Sequence, residues 1–187
     1  SCEAGTCRWP ASSVLLGTGL LLSNINSSRF IDITVAGFAR GVYLLGDRHG
    51  CHTNYFEAIQ SNNNLHGIEI DSIDGAGCSQ TCPPDWPPNC PPNCPPTQCG
   101  SCNEHFFNGG QVYLNEGFSD FSDTKFIYIR NPGNNNNRFI GMNLESAAAQ
   151  RRLDVAGYRN LFIGNRYEGD VPGTDIEFTA NSWANVL

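Results

Sequence analysis

Two acidic residues, Asp154 and Glu177, have the type and spacing needed for chemistry on one face of a sheet. Each directly follows an apolar residue, Leu153 or Ile176, so the acidic pair and the apolar pair share one spacing. If these two apolar residues stack in parallel strands, alternation places both carboxylates outward, about 5 Å apart, with Tyr128 continuing the row. Such carboxylates raise each other's pKa, share a cation such as Ca²⁺, or form the pair of a retaining glycoside hydrolase. Tyr128, Asp154 and Glu177 are therefore candidate ligand-binding residues; a solvated acidic face is the alternative.

A recurring phrase organises the elements that must position these side chains. Residues 160–164 closely repeat residues 137–141. A fixed period in the twenties, made of two or three short strands, indicates a solenoid of stacked parallel strands. Equivalent apolar residues recur with such a period in both halves of the chain. In the first half, the same interval separates Phe30 from Phe56 and Val42 from Ile68. In the second half, the interval is slightly shorter from Phe139 to Phe162 and from Leu153 to Ile176, and slightly longer from Phe126 to Leu153.

A sandwich of hairpins is the competing architecture, and it requires tight two-residue turns between neighbouring strands. The Asp-Gly pair at 74–75 and the Asn-Gly pair at 108–109 flank a cysteine-rich stretch, and neither separates the repeating strands. The sequence therefore favours the solenoid. It predicts that Phe162 or Leu161 is buried in a column with Phe139 or Ile140.

Asparagine clusters precede several of the apolar runs. They lie at residues 62–64, at 134–137 and at Asn160. Asn tolerates the left-handed backbone of a sharp corner, and stacked Asn side chains hydrogen-bond along a column. We predict that the clusters occupy similar corners of successive turns; the alternative is that Asn is simply common in loops.

Nine cysteines are unusual in a reducing compartment unless they bind metal, which favours an extracellular or virion-surface location. Residues 75–109 contain eight of the eleven prolines and six cysteines: Cys78, Cys82, Cys90, Cys94, Cys99 and Cys102. Proline lacks the N–H that a strand ladder needs, so this segment is predicted to be an insertion outside the core. We predict disulfides among its six cysteines and no metal. The open alternative is a four-thiolate zinc site that uses Cys99-Gly100-Ser101-Cys102 with a second pair.

The remaining cysteines are Cys2, Cys7 and Cys51. The first two are predicted to close a small disulfide loop in an N-terminal cap over residues 1–13, with unpaired thiols as the alternative. Since nine is odd, at least one cysteine is unpaired or bonded to another chain, and Cys51 is the candidate.

Charge and hydropathy exclude some partners. The formal net charge is −7 and only 16 % of residues are charged, so the chain lacks the basic surface that nucleic acid requires. The apolar run at residues 14–22 is too short and too interrupted by glycine to span a membrane. The sequence begins at Ser1, which leaves open both a removed signal peptide and a fragment of a longer chain.

The phrases at residues 66–70 (His-Gly-Ile-Glu-Ile) and 160–165 (Asn-Leu-Phe-Ile-Gly-Asn) resemble repeats of the right-handed parallel β-helix family, the pectate-lyase-like fold. The likeness in repeat style covers roughly residues 20–73 and 110–180. It implies a helix of about five coils, an extracellular or virion-surface location, and polysaccharide lyases, hydrolases or virus spikes as relatives.

Leu65-His66-Gly67-Ile68 is similar to the Gly-His-Gly-Ile phrase of polygalacturonase-like enzymes within that family, which adds His66 to the catalytic candidates. Leu65 replaces the first glycine, however, and the adjacent Asp pair of those hydrolases is missing from the sequence.

Together these patterns predict one all-β domain over residues 1–187, a parallel β-helix with an N-terminal cap (1–13), a disulfide-rich insertion (75–109) and a C-terminal cap (181–187). The preferred function is a non-catalytic structural or adhesive module of a secreted or virion-surface assembly. It would bind a glycan or neighbouring subunits, including further copies of itself, with no cofactor expected and Ca²⁺ as the alternative. The alternative is a polysaccharide lyase or glycoside hydrolase that uses Asp154, Glu177 and His66.

Overall fold

The computed structural model describes residues 2–3, 6–7, 16–46, 50–72, 101–114, 123–146, 151–169, 175–179 and 182–187. This part of the chain is all-β, and it contains no helix. Its strands are β1 (Cys2–Glu3), β2 (Thr6–Cys7), β3 (Thr18–Ser23), β4 (Arg29–Ile31), β5 (Thr34–Ala36), β6 (Arg40–Gly46), β7 (Cys51–His52), β8 (Tyr55–Asn62), β9 (His66–Ser72), β10 (Cys102–Asn103), β11 (Phe106–Leu114), β12 (Lys125–Ile129), β13 (Arg138–Ile140), β14 (Asn143–Ser146), β15 (Arg151–Val155), β16 (Leu161–Ile163), β17 (Arg166–Glu168) and β18 (Ile176–Phe178).

Two large parallel sheets stack on a shared core. One has six strands in the order β18-β15-β12-β9-β6-β3, and the other has eight and is built from β4, β5, β8, β11, β13, β14, β16 and β17. From β3 onward the chain places one strand in the six-stranded sheet, passes through the eight-stranded sheet and returns, and we call each such circuit a repeat. Strands β7 and β10 form a small parallel sheet between the two, and β1 pairs antiparallel with β2. This arrangement is compatible with a parallel β-helix.

The pairing register confirms four of the five predicted intervals. The pairs are Phe30 with Phe56, Val42 with Ile68, Phe139 with Phe162, and Leu153 with Ile176, all in parallel strands. The interval from Phe126 to Leu153 is wrong, because Ile127 and not Phe126 pairs with Leu153. Phe126 and Ile127 are adjacent, apolar and both buried, so hydrophobicity alone does not distinguish the two registers.

A stack of five phenylalanine rings runs through the core. The predicted column of Phe139 and Phe162 is its last pair, with ring centroids 5.1 Å apart. The other centroid distances are 4.7 Å for Phe107 and Phe139, 4.4 Å for Phe56 and Phe107, and 5.0 Å for Phe30 and Phe56. Adjacent rings in such stacks contribute about 0.5–1.5 kcal/mol per pair beyond the area that they bury.

Left-handed backbone recurs at fixed places in the repeat. One column of positive φ lies just before the first strand of the eight-stranded sheet in each repeat, and a second column lies five residues later, just after β4, β13 and β16 and within β8 and β11. The first consists of Ser27, Thr53, Glu104, Asn136, Arg159 and Ala184, and the second of Asp32, Ala58, Gly109, Gly141 and Gly164, with φ between 52° and 64° throughout. These residues therefore form the corners at which the chain changes direction.

Asparagine side chains form a ladder beside the first corner. Asn160 Oδ1 accepts hydrogen bonds from the backbone N–H and the Nδ2 of Asn137, each at 3.0 Å, and Asn185 Oδ1 accepts from the backbone N–H of Asn160 at 2.8 Å. Asn64 lies at a different corner, before β9 of the six-stranded sheet, where it accepts from the backbone N–H of Phe38. The three asparagine clusters thus do not share one corner, because they precede strands of different sheets.

The repeat resumes earlier than the sequence indicated. Strands β10 and β11 begin at Cys102 and Phe106, so residues 102–103 and 106–109 of the predicted insertion belong to the sheets. Residues 73–100, with Cys78, Cys82, Cys90, Cys94 and Cys99, lie outside the described residues.

At the two ends the described residues are few. In the predicted N-terminal cap, β1 and β2 set the backbones of Cys2 and Cys7 opposite each other, and the side chains of these residues lie outside the description. In the predicted C-terminal cap, Val186 bridges to Leu161 in parallel, and Asn185 extends the asparagine ladder. The tail therefore continues the eight-stranded sheet.

Candidate functional site

The outer face of the six-stranded sheet gathers the residues that the sequence singled out. Tyr128 pairs in register with Asp154, which pairs with Glu177, so the predicted row is present. Tyr43 and Glu69 extend the same row on β6 and β9. The row lies on neighbouring parallel strands, which are about 4.8 Å apart.

A second row of mostly basic residues lies three positions earlier on the same strands. It contains Arg40, His66, Lys125 and Arg151, paired in register. Regular alternation along a strand would place residues three positions apart on opposite faces. Here both rows lie on the same outer face, as the contact between Arg40 and Tyr43 shows: the guanidinium lies 4.7 Å from the ring centroid. We call these two rows, with Asp71, Asp123 and Arg130 beside them, the ionic face.

Arg151 joins the two predicted carboxylates. Its Nη1 lies 2.8 Å from Asp154 Oδ2, and its Nη2 lies 2.8 Å from Glu177 Oε2. The hydrogen bond to Asp154, opposed by desolvation, and the charges of both carboxylates raise the pKa of Arg151. Asp154 is buried, with only 5 % of its surface exposed, and the guanidinium of Arg151 is closer to it than the ammonium of Lys125.

Glu69 is the most enclosed charge of the ionic face, with no exposed surface. Its carboxylate lies 2.6 Å from His66 Nδ1, 2.9 Å from Arg40 Nε and 3.1 Å from Arg130 Nη1. Burial alone would raise the pKa of Glu69, but the hydrogen bond and charge of His66 and the charges of Arg40 and Arg130 together lower it. Removing these partners would leave a buried, uncompensated charge, which is strongly destabilising.

His66 lies within the ionic face and is mostly buried. Its Nε2 lies 3.6 Å from Asp123 Oδ2, and its ring meets the ring of Tyr128 edge-on at 5.2 Å. Lys125 Nζ bonds Asp123 at 2.6 Å and lies 3.8 Å from Asp154. The structure therefore brings His66, Tyr128, Asp154 and Glu177 together on one face.

The sequence analysis did not predict the basic residues of the ionic face, although their spacing indicates them. Arg40 and His66 are separated by the same interval as Lys125 and Arg151, and this interval is also that of the apolar pair Val42 and Ile68. Within the described residues, each carboxylate on this face forms at least one ion pair: Glu69, Asp71, Asp123, Asp154 and Glu177. Each of these carboxylates thus has a partner within the face.

The eight-stranded sheet also has an outward-facing row of its own. It consists of Arg29, Tyr55, Phe106, Arg138 and Leu161, paired in register, and we call it the aromatic row. The rings of Tyr55 and Phe106 are tilted by 40° with centroids 5.3 Å apart, and Tyr55 is 52 % exposed. No motif in the sequence pointed to these residues.

Two adjoining grooves lie over the aromatic row and share Tyr55 and Phe106. Their volumes are about 470 and 690 Å³, and the larger is also lined by Arg138 and Arg159. Arg159 lies 5.2 Å from the ring centroid of Trp183. In the part of the chain that the structure covers, neither Arg138 nor Arg159 forms an ion pair, so both guanidinium groups are available to an anionic ligand.

Comparisons with protein-family models, with curated proteins and with solved structures each found no match. Within the residues that the structure describes, no helix has the length and apolar character needed to cross a membrane.

Proposed function

We propose that the chain is a non-catalytic, glycan-binding module of a secreted or virion-surface assembly. Its binding site is the aromatic row, and its ligand is an acidic polysaccharide. The observation that carries this proposal is the pair of tilted aromatic rings of the exposed Tyr55 and the partly buried Phe106, which line both adjoining grooves. Arg138 and Arg159 line the larger groove beside them and have no ion-pair partner among the described residues.

The chemistry of the groove suits a sugar chain. A pyranose ring has an apolar C–H face that packs on an aromatic ring, and polar edges that hydrogen-bond to flanking side chains. The five positions of the aromatic row lie in a line that spans four strand spacings, or about 19 Å. A line of contacts of this length suits an extended polymer. Arginine binds carboxylate and sulfate groups through paired hydrogen bonds, so Arg138 and Arg159 favour an acidic glycan. This attraction is local, because the same groove is also lined by Glu104 and the chain as a whole carries a net charge of −7.

The ionic face supports binding without turnover. A retaining hydrolase uses two carboxyl groups about 5 Å apart, one of which carries the proton for the leaving group. Here a single guanidinium, that of Arg151, is bonded to both Asp154 and Glu177 and fills the space between them. The Tyr128, Asp154 and Glu177 row is thereby better suited to holding neighbouring strands together than to receiving a substrate.

The proposed architecture is a right-handed parallel β-helix of about five coils. It is supported by the in-register parallel pairing of successive repeats and by the continuous phenylalanine stack. The seven cysteines other than the free thiols Cys51 and Cys102 support an oxidising location. In an assembly, the module would contact other subunits as well as the glycan.

Binding is tested by isothermal titration of the purified protein with polygalacturonate, and with neutral dextran as the comparison polymer. We expect binding to polygalacturonate that weakens at least tenfold in Phe106→Ala and in Arg138→Gln, and that falls with added salt. Ile163→Ala, an exposed apolar residue on the same sheet outside the row, is the matched control and should bind as the wild type does. Equal binding of both polymers, or binding unchanged in Phe106→Ala, would overturn the proposal.

A polysaccharide lyase or hydrolase on the ionic face is the second candidate. It is favoured by the 2.6 Å contact of His66 with Glu69, since a carboxylate that orients an imidazole is a recurring feature of general-base sites. This candidate predicts release of reducing ends or unsaturated sugars from polygalacturonate, and loss of that release in Asp154→Asn. Binding without any product supports the module instead.

A further inference from the structure

Two cysteines and a histidine lie together in the core, where the chain passes from β7 to β8 and from β10 to β11. Cys51 on β7 and Cys102 on β10 are register partners in a parallel pair, and His105 lies just before β11. All three are fully buried, and their ligand atoms lie within 4.8 Å of one another. Both cysteines are free thiols, so Cys102 is not in the disulfide predicted for it: β10 places its side chain in the core opposite Cys51. Cys51, the candidate for the unpaired cysteine, is free as well.

His105 replaces an asparagine in the ladder. In neighbouring repeats the equivalent residues are Asn54 and Asn137, and the Asn137 side chain accepts the backbone N–H of His105 at 3.1 Å. His105 accepts the backbone N–H of Asn54 through Nδ1 at 3.3 Å, which is a long hydrogen bond. Its Nε2 is buried and has no partner among the described residues. An ion bound at Nε2 would take the lone pair of that nitrogen, so the ring proton would lie on Nδ1 and the hydrogen bond from Asn54 would be lost. An asparagine would serve the ladder better, so the ladder does not account for a histidine here.

We infer that Cys51, Cys102 and His105 form a buried site for a thiophilic metal ion, Zn²⁺ or Cu⁺. Thiolate sulfur and imidazole nitrogen are the donors that these ions prefer. An ion bound at about 2.3 Å to sulfur and about 2.0 Å to nitrogen holds its donor atoms about 3.5–3.8 Å apart, so donors that lie within 4.8 Å of one another reach it with small side-chain movements. The three side chains supply three ligands, and a tetrahedral Zn²⁺ would take a fourth.

The location assigns the ion a structural role. The three ligands come from the repeats on either side of residues 73–100, and full burial excludes a substrate. A bound ion would fix the point at which the chain re-enters the sheets. Metal binding to such a site adds directly to folding stability.

The test uses the whole chain, purified under anaerobic, reducing conditions without chelator. We expect about one Zn or Cu per chain by mass spectrometry of the elements, which identifies the ion. After its removal, Co²⁺ should produce the near-ultraviolet charge-transfer band of a cobalt–thiolate bond, and added Zn²⁺ or Cu⁺ should raise the melting temperature.

The decisive variant is His105→Asn, because it restores the asparagine ladder while removing a ligand. It should fold, but it should lose the cobalt band or bind at least tenfold more weakly, whereas His52→Asn, on β7 outside the cluster, should behave as the wild type does. A Cys51–Cys102 disulfide in peptide mapping, a chain that takes up no metal, or a cobalt band unchanged in His105→Asn would each overturn the inference.

Discussion

The phenylalanine stack provides the sharpest test of the fold. Phe107 is fully buried between two rings, at 4.4 Å from Phe56 and 4.7 Å from Phe139, whereas Phe30 contacts one ring and is only partly buried. Leucine keeps most of the side-chain volume but removes the ring contacts. At about 0.5–1.5 kcal/mol per pair, Phe107→Leu should cost about 1–3 kcal/mol and Phe30→Leu about 0.5–1.5 kcal/mol. Phe107→Ala, which also opens a cavity, should cost about 3–5 kcal/mol.

The assay is urea unfolding at equilibrium, followed by circular dichroism, with the free energy of unfolding obtained from the midpoint and slope. A double variant, Phe56→Leu with Phe107→Leu, breaks three ring pairs where the two single variants together break four. Its cost should therefore fall short of the sum by about one pair, or about 0.5–1.5 kcal/mol. Equal costs for Phe107→Leu and Phe30→Leu, or strict additivity in the double variant, would refute the continuous stack.

Three further predictions concern the ladder, the corners and the ionic face. Asn160→Ala leaves the buried N–H of Asn137 without its acceptor and should lower the unfolding free energy by about 1–3 kcal/mol in urea. Asn160→Asp keeps that acceptor but buries a charge and removes the Nδ2 donor to the carbonyl of Asn134, so it should cost at least as much; a milder effect of Asn160→Asp would contradict this account of the ladder. Gly141 has φ 64° with open space around it, so Gly141→Ala should lower the free energy of unfolding by about 1 kcal/mol through backbone strain alone. Ala58→Gly, at φ 55° in the same column, should raise the free energy of unfolding by a similar amount. If calorimetry showed that both variants shift the melting temperature in the same direction, this explanation would be wrong. The pKa of Glu69 is lowered in the folded state, so its contribution to stability is complete above its unfolded-state pKa of about 4.3 and is lost as the pH falls through its folded-state pKa. Glu69→Gln should therefore reduce the loss of stability between about pH 5 and pH 3, measured as the free energy of unfolding in urea. An unchanged slope of stability against pH would count against the buried ion pairs.

Much of the architecture was predictable because parallel repeats must place equivalent apolar residues side by side. Phe139 and Phe162 illustrate this, since their spacing alone indicated a column that the register confirms. The prediction failed at Phe126, because the adjacent Ile127 is equally apolar and only backbone pairing decides between them. Periodicity thus determines the partners of isolated apolar residues better than those of adjacent ones.

The sites were less predictable, for two physical reasons. Alternation with a period of two indicated the row of Asp154 and Glu177, but it places a residue three positions away on the opposite face, so Arg151 was missed. The partners Tyr55 and Phe106 lie much further apart in the sequence than partners in other repeats, because residues 73–100 lie between them and obscure the period. The same segment separates the two cysteines of the proposed metal site. Contacts that bridge this segment follow from the register and not from the spacing.

In-register pairing makes the repeat the natural unit by which this chain changes length. Arg138 pairs with Leu161, so removing residues 138–160 would join Asn137 to Leu161 and set Phe162 directly on Phe107. Duplication of the same segment would add one ring to the stack and one rung to the asparagine ladder. Evolution can therefore lengthen or shorten such a protein in whole repeats, or by growth at the junctions between them, while the core on either side keeps its packing.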